Sequence, residues 1–350
     1  MDRRVKKVVR GFKAIDGAGV HLVRVLSNET VREFDPFLML DSFDSTNPDD
    51  YTAGFPLHPH RGIETITYVR LGKMHHRDSL GFEDTVSDGE LQWMCAGSGI
   101  LHEETIPPAK RMLGVQLWLN LPHAQKMATP HYHAVGHDEI EDIPVEGGSV
   151  RLLAGTFEGH KGYQSSHLPL DYYDIGLEPG AALTIPVGKD RAVMVFTLLG
   201  DVTIGGTRLA EKSAAHLADG DSVTIKAEDK PVHVLFMSSK ALLAMDRKVE
   251  KTLLEMAHAN QIDVESLNAE KGVLFGRSVP FNVNAVVFIS ADRGVQVWYE
   301  HEGDCGACPR YARCIELLWD YADELGIALE KTGDPTRMAE ELFAKLRKLV

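Results

Sequence analysis

The sequence predicts a mainly β chain in which two similar strand-built halves are followed by a small α+β appendage, and three observations carry that prediction. From residue 10 to 240, short alternating or apolar runs are broken by Gly, Asp and Pro: FLMLDSF (37–43), IETITYVRL (63–71), LQWMCA (91–96) and MLGVQLWLNL (112–121), then VRLLAGTF (150–157), AVMVFTLLGDVTIGG (192–206) and VHVLFMS (232–238). Runs of this length, with turns between them, indicate sandwiches or barrels. Both halves also show strand, Gly turn and strand, with an Asp-Gly step before a further strand. DGELQW at 88–93 and DGDSVTI at 219–225 therefore read as the marks of an internal duplication. After residue 240 the character changes: KALLAMDRKVEKTLLEMAHAN sets Leu242, Met245, Val249, Leu253 and Met256 at three- and four-residue steps, the period of an amphipathic helix.

The first half is expected over residues 1–135 and the second over 136–240, divided near 134–149 by the polar, Gly- and Pro-punctuated stretch AVGHDEIEDIPVEGGS. The appendage takes 241–350. Within it VNAVVFIS and VQVWYEH flank Ala-Asp-Arg-Gly, a hairpin pattern, and two more helices are expected at CIELLWDYADELG and DPTRMAEELFAKLRKLV. Asp334 caps the last of these, with Pro335 in its first turn.

A chain of 350 residues, 44% hydrophobic and 25% charged, has the composition of a folded protein of two or three globular units. Its formal net charge of −14 opposes contact with polyphosphate, so nucleic-acid partners are not expected. No apolar run reaches membrane-spanning length. The basic start MDRRVKKVVRGFKAIDG has no apolar segment behind it and reads as neither signal peptide nor anchor, which makes the expected address cytoplasmic. Of four cysteines, Cys305, Cys308 and Cys314 fall within ten residues, with His301 just before them. In a reducing compartment that cluster suits a structural Zn site better than a disulfide framework, with Fe–S ligation a second option; its plain alternative is three ordinary thiols at a hairpin–helix junction. The appendage carries more acidic than basic side chains, and docking or dimerisation is its default role.

The segment FPLHPHRGIET carries His58 and His60 two apart, and residues i and i+2 of a strand face the same side. AGSGILHEETIP repeats the arithmetic with His102 and Glu104, while Glu103 turns outward. Two strands then contribute two candidate ligands each. Three imidazoles and a carboxylate suit Fe(II), Mn(II), Ni(II), Cu(II) or Zn(II) rather than Ca(II) or Mg(II). Gly54, Gly62, Gly97 and Gly99 beside these pairs allow the close backbone packing that ligands need. The bland reading of any one such pair is surface or hydrogen-bonded core histidine; two pairs on neighbouring strands weigh against it.

FDPFLMLDSF, GFPLHPHRGIETITYV, HRDSLG, LQWMCAGSGILHEE and VQLWLNLP, in this order, resemble the pirin family of double cupins, and HLPLDYYDIGLEPGAALTIPV with TLLGDVTIGG is similar to that family's second barrel. The resemblance covers residues 5 to 240 and implies two cupin-type antiparallel β-barrels. It implies one iron in the first barrel, held by His58, His60, His102 and Glu104, and no metal in the second. Glu103 departs from the small residue common there, and Glu64 is left a structural or supporting role. The implied chemistry is of the quercetin 2,3-dioxygenase kind: a small aromatic flavonol chelates the metal and O2 opens its heterocyclic ring, Glu104 serving as ligand and base. The alternative is a metal-dependent, redox-sensing interaction module that acts through a protein partner.

Several other residues are weighed and set aside. His75 and His76 are expected to be solvated or to support the site, and His131, His133 and His137 to sit on the surface of a loop-like linker. Gln116 either points into the pocket or satisfies backbone. Phe37, Met39, Trp93 and Met94 supply wall or core, and Cys95 is a small core residue.

Overall fold

The computed structural model describes residues 1–268, 272–290, 294–299, 337, 341, 342, 344, 345, 347 and 348, with backbone alone at 243–248, 290, 294 and 299. The cluster of His301, Cys305, Cys308 and Cys314 lies outside the described residues, as does the helix expected at CIELLWDYADELG. The few described positions of the last expected helix are helical. The chain divides into two compact units, Met1–Leu242 and Leu243–Val350.

The first unit is built from two copies of one design, a seven-stranded antiparallel sheet with a four-stranded one. In the first copy the large sheet runs His131–Val135, Glu90–Cys95, Ile63–Leu71, Met112–Asn120, Phe37–Ser45, Val20–Leu26, Phe12–Asp16, and the small one Phe55–His60, Ile100–Thr105, Lys73–Asp78, Glu83–Ser87. In the second the large sheet runs Val5–Arg10, Ser213–Leu217, Arg191–Leu199, Val232–Lys240, Leu170–Leu177, Gly148–Ala154, Glu141–Val145, and the small one Ala182–Pro186, Ser222–Ala227, Val202–Ile204, Thr207–Leu209. These are jelly-roll pairs of sheets of the cupin type, and neither closes into a continuous barrel, because the ladder of one sheet does not continue into the other.

Three differences from the sequence reading follow. The duplication is present, but its marks are offset by one strand: DGDSVTI feeds a small-sheet strand whose counterpart is Ile100–Thr105, whereas DGELQW feeds the large sheet. The N-terminal strand Val5–Arg10 pairs with Ser213–Leu217, so the chain begins in the second copy before building the first. His131–Val135 is not a loop but the edge strand on Glu90–Cys95.

The two large sheets pack face to face. Ile66, Tyr68, Trp93, Leu117 and Leu119 share one buried cluster with Tyr172, Phe196, Leu235 and Met237, while Thr67 on the opposite face of its strand bonds to side chains inside the first copy. Burial on both faces explains why these strands read as nearly continuous apolar runs. Each fully buried large side chain contributes roughly 1.5–3 kcal/mol. A polar knot also joins the copies: buried Asp174 accepts from the Tyr68 hydroxyl at 2.7 Å, lies 2.9 Å from Arg70 Nε, and pairs with His233 Nδ1 at 2.9 Å.

In the second unit, helix Leu242–Ala259 packs Leu253 and Ala257 against Ile262, Leu274, Ala285 and Val287. A four-stranded antiparallel sheet follows, and Val283–Ser290 pairs with Gly294–Tyr299 as the expected hairpin. Among the described residues no helix is long and apolar enough to cross a membrane.

Candidate metal centre

The small sheet of the first copy sets the candidate ligands. Phe55–His60 pairs with Ile100–Thr105 in the register His58↔His102 and Ile100↔His60, and the pleat turns His58, His60 and His102 to one side. Two glycines allow close backbone packing around that pair. Gly54, at φ 63°, passes so close that a Cβ would lie 2.6 Å from the Glu104 carbonyl oxygen; at Gly97, φ 43°, it would lie 2.0 Å from the Ala128 carbonyl oxygen.

The three rings form a tight group. Their centroids are 4.8 Å apart for His58 and His60, 4.4 Å for His58 and His102, and 5.0 Å for His60 and His102. One ligand nitrogen from each lies within 4.8 Å of the others, and His58 Nε2 is 3.1 Å from His60 Nε2. Burial, then repulsion from His58, lowers the His60 pKa to about 4. Burial, with His58, His60 and His76 adding to it, lowers that of His102 to about 2. Both rings are neutral at pH 7, the state a metal ligand requires.

Hydrogen bonds fix which nitrogen each ring presents. His58 Nδ1 sits 2.7 Å from the Pro56 carbonyl, so it carries the proton and leaves the Nε2 lone pair free. Asp78 Oδ2 accepts from His76 Nε2 at 3.0 Å, which leaves His76 Nδ1 as an acceptor 3.4 Å from His102 Nδ1. The Asp78 carboxylate is itself held by the backbone N–H groups of Leu80 and Phe82. The chain Asp78, His76, His102 therefore sends the lone pair of His102 to Nε2. That atom is buried and has no hydrogen-bond partner. A buried nitrogen acceptor without a donor is costly unless a water or a cation occupies the space beside it, and with two further imidazoles converging there the residues present fit a metal.

Glu104 stands apart from the close trio. A register shift separates it from His102 along the strand pair, and its buried carboxylate accepts from the side-chain amides of Gln92 and, at 3.0 Å, Gln116. Burial raises its pKa to about 7 against the opposing pull of Gln116 and Gln92. Trp118 meets His60 edge-on at 5.0 Å.

The structure thus brings His58, His60 and His102 together and holds Glu104 on two amides beside the same strand pairing. Gln116 takes the pocket-facing option. Phe37 and Trp93 belong to the core between the copies, and Met94 packs with Ala96, Ile100 and Tyr132. His76 is not solvated: it is fully buried and stacks on Tyr132 at 4.1 Å. The positions of His76 and Asp78, two apart in HHRD, carried the same i,i+2 pattern as the ligand pairs. Gln92 was passed over because a lone amide inside LQWMCA looks like any strand residue. His133 bonds to Glu139 and stacks on Tyr163, and His137 lies by Arg151 and Glu90. In the second copy the corresponding strands fill the interior with Leu183, Ile185, Val223 and Ile225, while the alternating Thr184 and Thr224 pair on the exposed face.

Two jelly-roll copies, one lined with convergent imidazoles and one packed with apolar side chains, define a double-cupin protein. The family model "Pirin" matches residues 19–119, "Pirin C-terminal cupin domain" matches residues 172–245, and the chain belongs to the pirin family. A pirin-like protein from Caulobacter vibrioides is 40% identical over 232 residues, covering 64% of this chain and 83% of its own. Human pirin is 35% identical over 246 residues, covering 69% and 83%. The crystal structure of a quercetin 2,3-dioxygenase from Acinetobacter baumannii superposes with a TM-score of 0.64 at 28% identity, covering 77% of this chain and 91% of that one.

Proposed function

We propose that this protein holds a divalent metal, redox-active iron before manganese, nickel, copper or zinc, through His58, His60, His102 and Glu104, and uses it to open the heterocyclic ring of a quercetin-type flavonol with O2. The observation that carries this reading is the buried, unpartnered Nε2 of His102 beside the imidazoles of His58 and His60. The relative named as a quercetin 2,3-dioxygenase supports the choice of substrate class. In this reading the first copy, within residues 1–135, carries the chemistry, and the interior of the second, within residues 136–240 together with strand Val5–Arg10, holds no metal.

When bound, the metal supplies a Lewis acid that favours the deprotonated flavonol and brings the two reactants together. The chain's own groups do the rest. Asp78 and His76 keep His102 in one tautomer. Gln92 and Gln116 hold the Glu104 carboxylate, whose pKa near 7 suits a group that accepts the flavonol hydroxyl proton at neutral pH. Trp118 beside His60 offers an aromatic surface to a flat substrate.

The test is O2 uptake by iron-loaded protein with quercetin, beside His102→Ala. Turnover lost in the variant is the expected result. No turnover with iron, manganese, nickel or copper bound would contradict the enzyme reading and leave a metal-dependent interaction module.

A further inference from the structure

A second group of ligand-type side chains lies on the far side of the strand that carries Gln92. Cys95 shares the face of Leu91 and Trp93, turned toward the second copy, and is fully buried. It is flanked across the ladder by His131 on one neighbouring strand and Glu64 on the other. His167 arrives from the second copy, just before strand Leu170–Leu177. The Cys95 sulfur and one nitrogen from each of His131 and His167 lie within 4.8 Å of one another. The two imidazole centroids are 5.9 Å apart.

We propose that Cys95, His131 and His167 form a second metal site, for a borderline-soft ion of the Zn(II) class, which clips the two copies of the first unit together. One thiolate and two imidazoles are the donor types such an ion selects over Ca(II) or Mg(II). A tetrahedral set with ordinary bond lengths needs donor separations of about 3.3–3.6 Å, so binding asks the three groups to draw together by no more than about 1.5 Å. The Cys95 thiol loses its proton to solvent as the sulfur–metal bond forms. His131 and His167 are only half-buried, which leaves an entry path and room for water at the fourth position.

Two further observations point to a cation here. His167 Nε2 is buried and has no hydrogen-bond partner. Across the ladder from Cys95, both carboxylate oxygens of Glu64 are also buried without a partner: Trp93 and Ser165 lie near but do not reach hydrogen-bond geometry. A carboxylate so placed gains from a nearby positive charge. Because His167 belongs to the second copy, binding favours the assembled state over any state in which the copies separate.

Cobalt(II) is the probe, because a thiolate–cobalt bond gives a near-ultraviolet charge-transfer band that a histidine and carboxylate site cannot give. The titration uses full-length protein carrying Cys305→Ser, Cys308→Ser and Cys314→Ser, so that Cys95 is the one remaining thiol. The expected result is a saturable band, bleached by zinc and lost on adding Cys95→Ser. His167→Ala changes a half-buried side chain outside the core, and should weaken the band's binding curve by at least about tenfold. No band in the folded parent, a band that survives Cys95→Ser, or an unchanged curve in His167→Ala would each overturn the proposal. None of these outcomes depends on flavonol turnover or on His58, His60 and His102.

Discussion

Asp78→Asn changes one atom at the end of the chain that orients His102, and its effect can be followed bond by bond. Asn Oδ1 can still accept from the backbone N–H groups of Leu80 and Phe82, so the turn is kept. Its Nδ2 then replaces the carboxylate oxygen 3.0 Å from His76 Nε2 and brings a donor against a donor. His76 relieves the clash by moving its proton to Nδ1, which now opposes the protonated Nδ1 of His102 at 3.4 Å. Either that contact is broken or the lone pair of His102 moves off Nε2; both disorder a ligand without removing it. Loss of such an orienting partner typically weakens metal binding 10–100-fold, or about 1.4–2.7 kcal/mol. Competition of the metal-free protein against a chromophoric iron(II) chelator measures it. His76→Phe should fall in the same range, and the double variant should add little, because both cut one chain. Binding within twofold of the parent in a folded Asp78→Asn protein would refute the relay.

Other outcomes follow from the same structure. With the Glu104 pKa near 7 and His60 and His102 already neutral, metal loading at pH 6 should release a proton from Glu104, and the release should fade as pH rises through 7; calorimetry in buffers of different ionisation enthalpy reads it, and Glu104→Gln should abolish it. Gln92→Leu removes one donor from that carboxylate and should move the window to higher pH. Burial alone would raise Asp174, but His233, Arg70 and Tyr68 together leave its pKa below the ordinary carboxylate value, so its stabilisation is present above about pH 4 and lost as pH falls through the folded value. Asp174→Asn should therefore cost about 3–5 kcal/mol at pH 7, with the gap to the parent closing in acid, as read from urea unfolding followed by tryptophan fluorescence.

The parts of this molecule that rest on local period were legible in the sequence. The i,i+2 pairs at His58 and His60 and at His102 and Glu104 fixed a shared face, and the three- and four-residue steps from Leu242 to Met256 fixed a helix. What rests on pairing between distant segments was not legible. Nothing in MDRRVKKVVR says that it completes the sheet of Ser213–Leu217, since an edge strand has the same alternation whichever sheet it joins. His131 looked like linker because its polar neighbours hid a strand whose one hydrogen-bonded edge lies on Glu90–Cys95. The departure of Glu104 from the histidine trio depends on a register shift of the ladder, and the diagonal contact of His76 with His102 on a register that sets His76 opposite Glu104; neither register can be read from the residues alone.

The most direct test of the central claim is an anomalous-difference map, recorded at the iron edge, from crystals of iron-loaded protein. A peak at bonding distance from His102 Nε2 and from the rings of His58 and His60 is the predicted result. Iron present in the crystal with no peak among those three rings would contradict it.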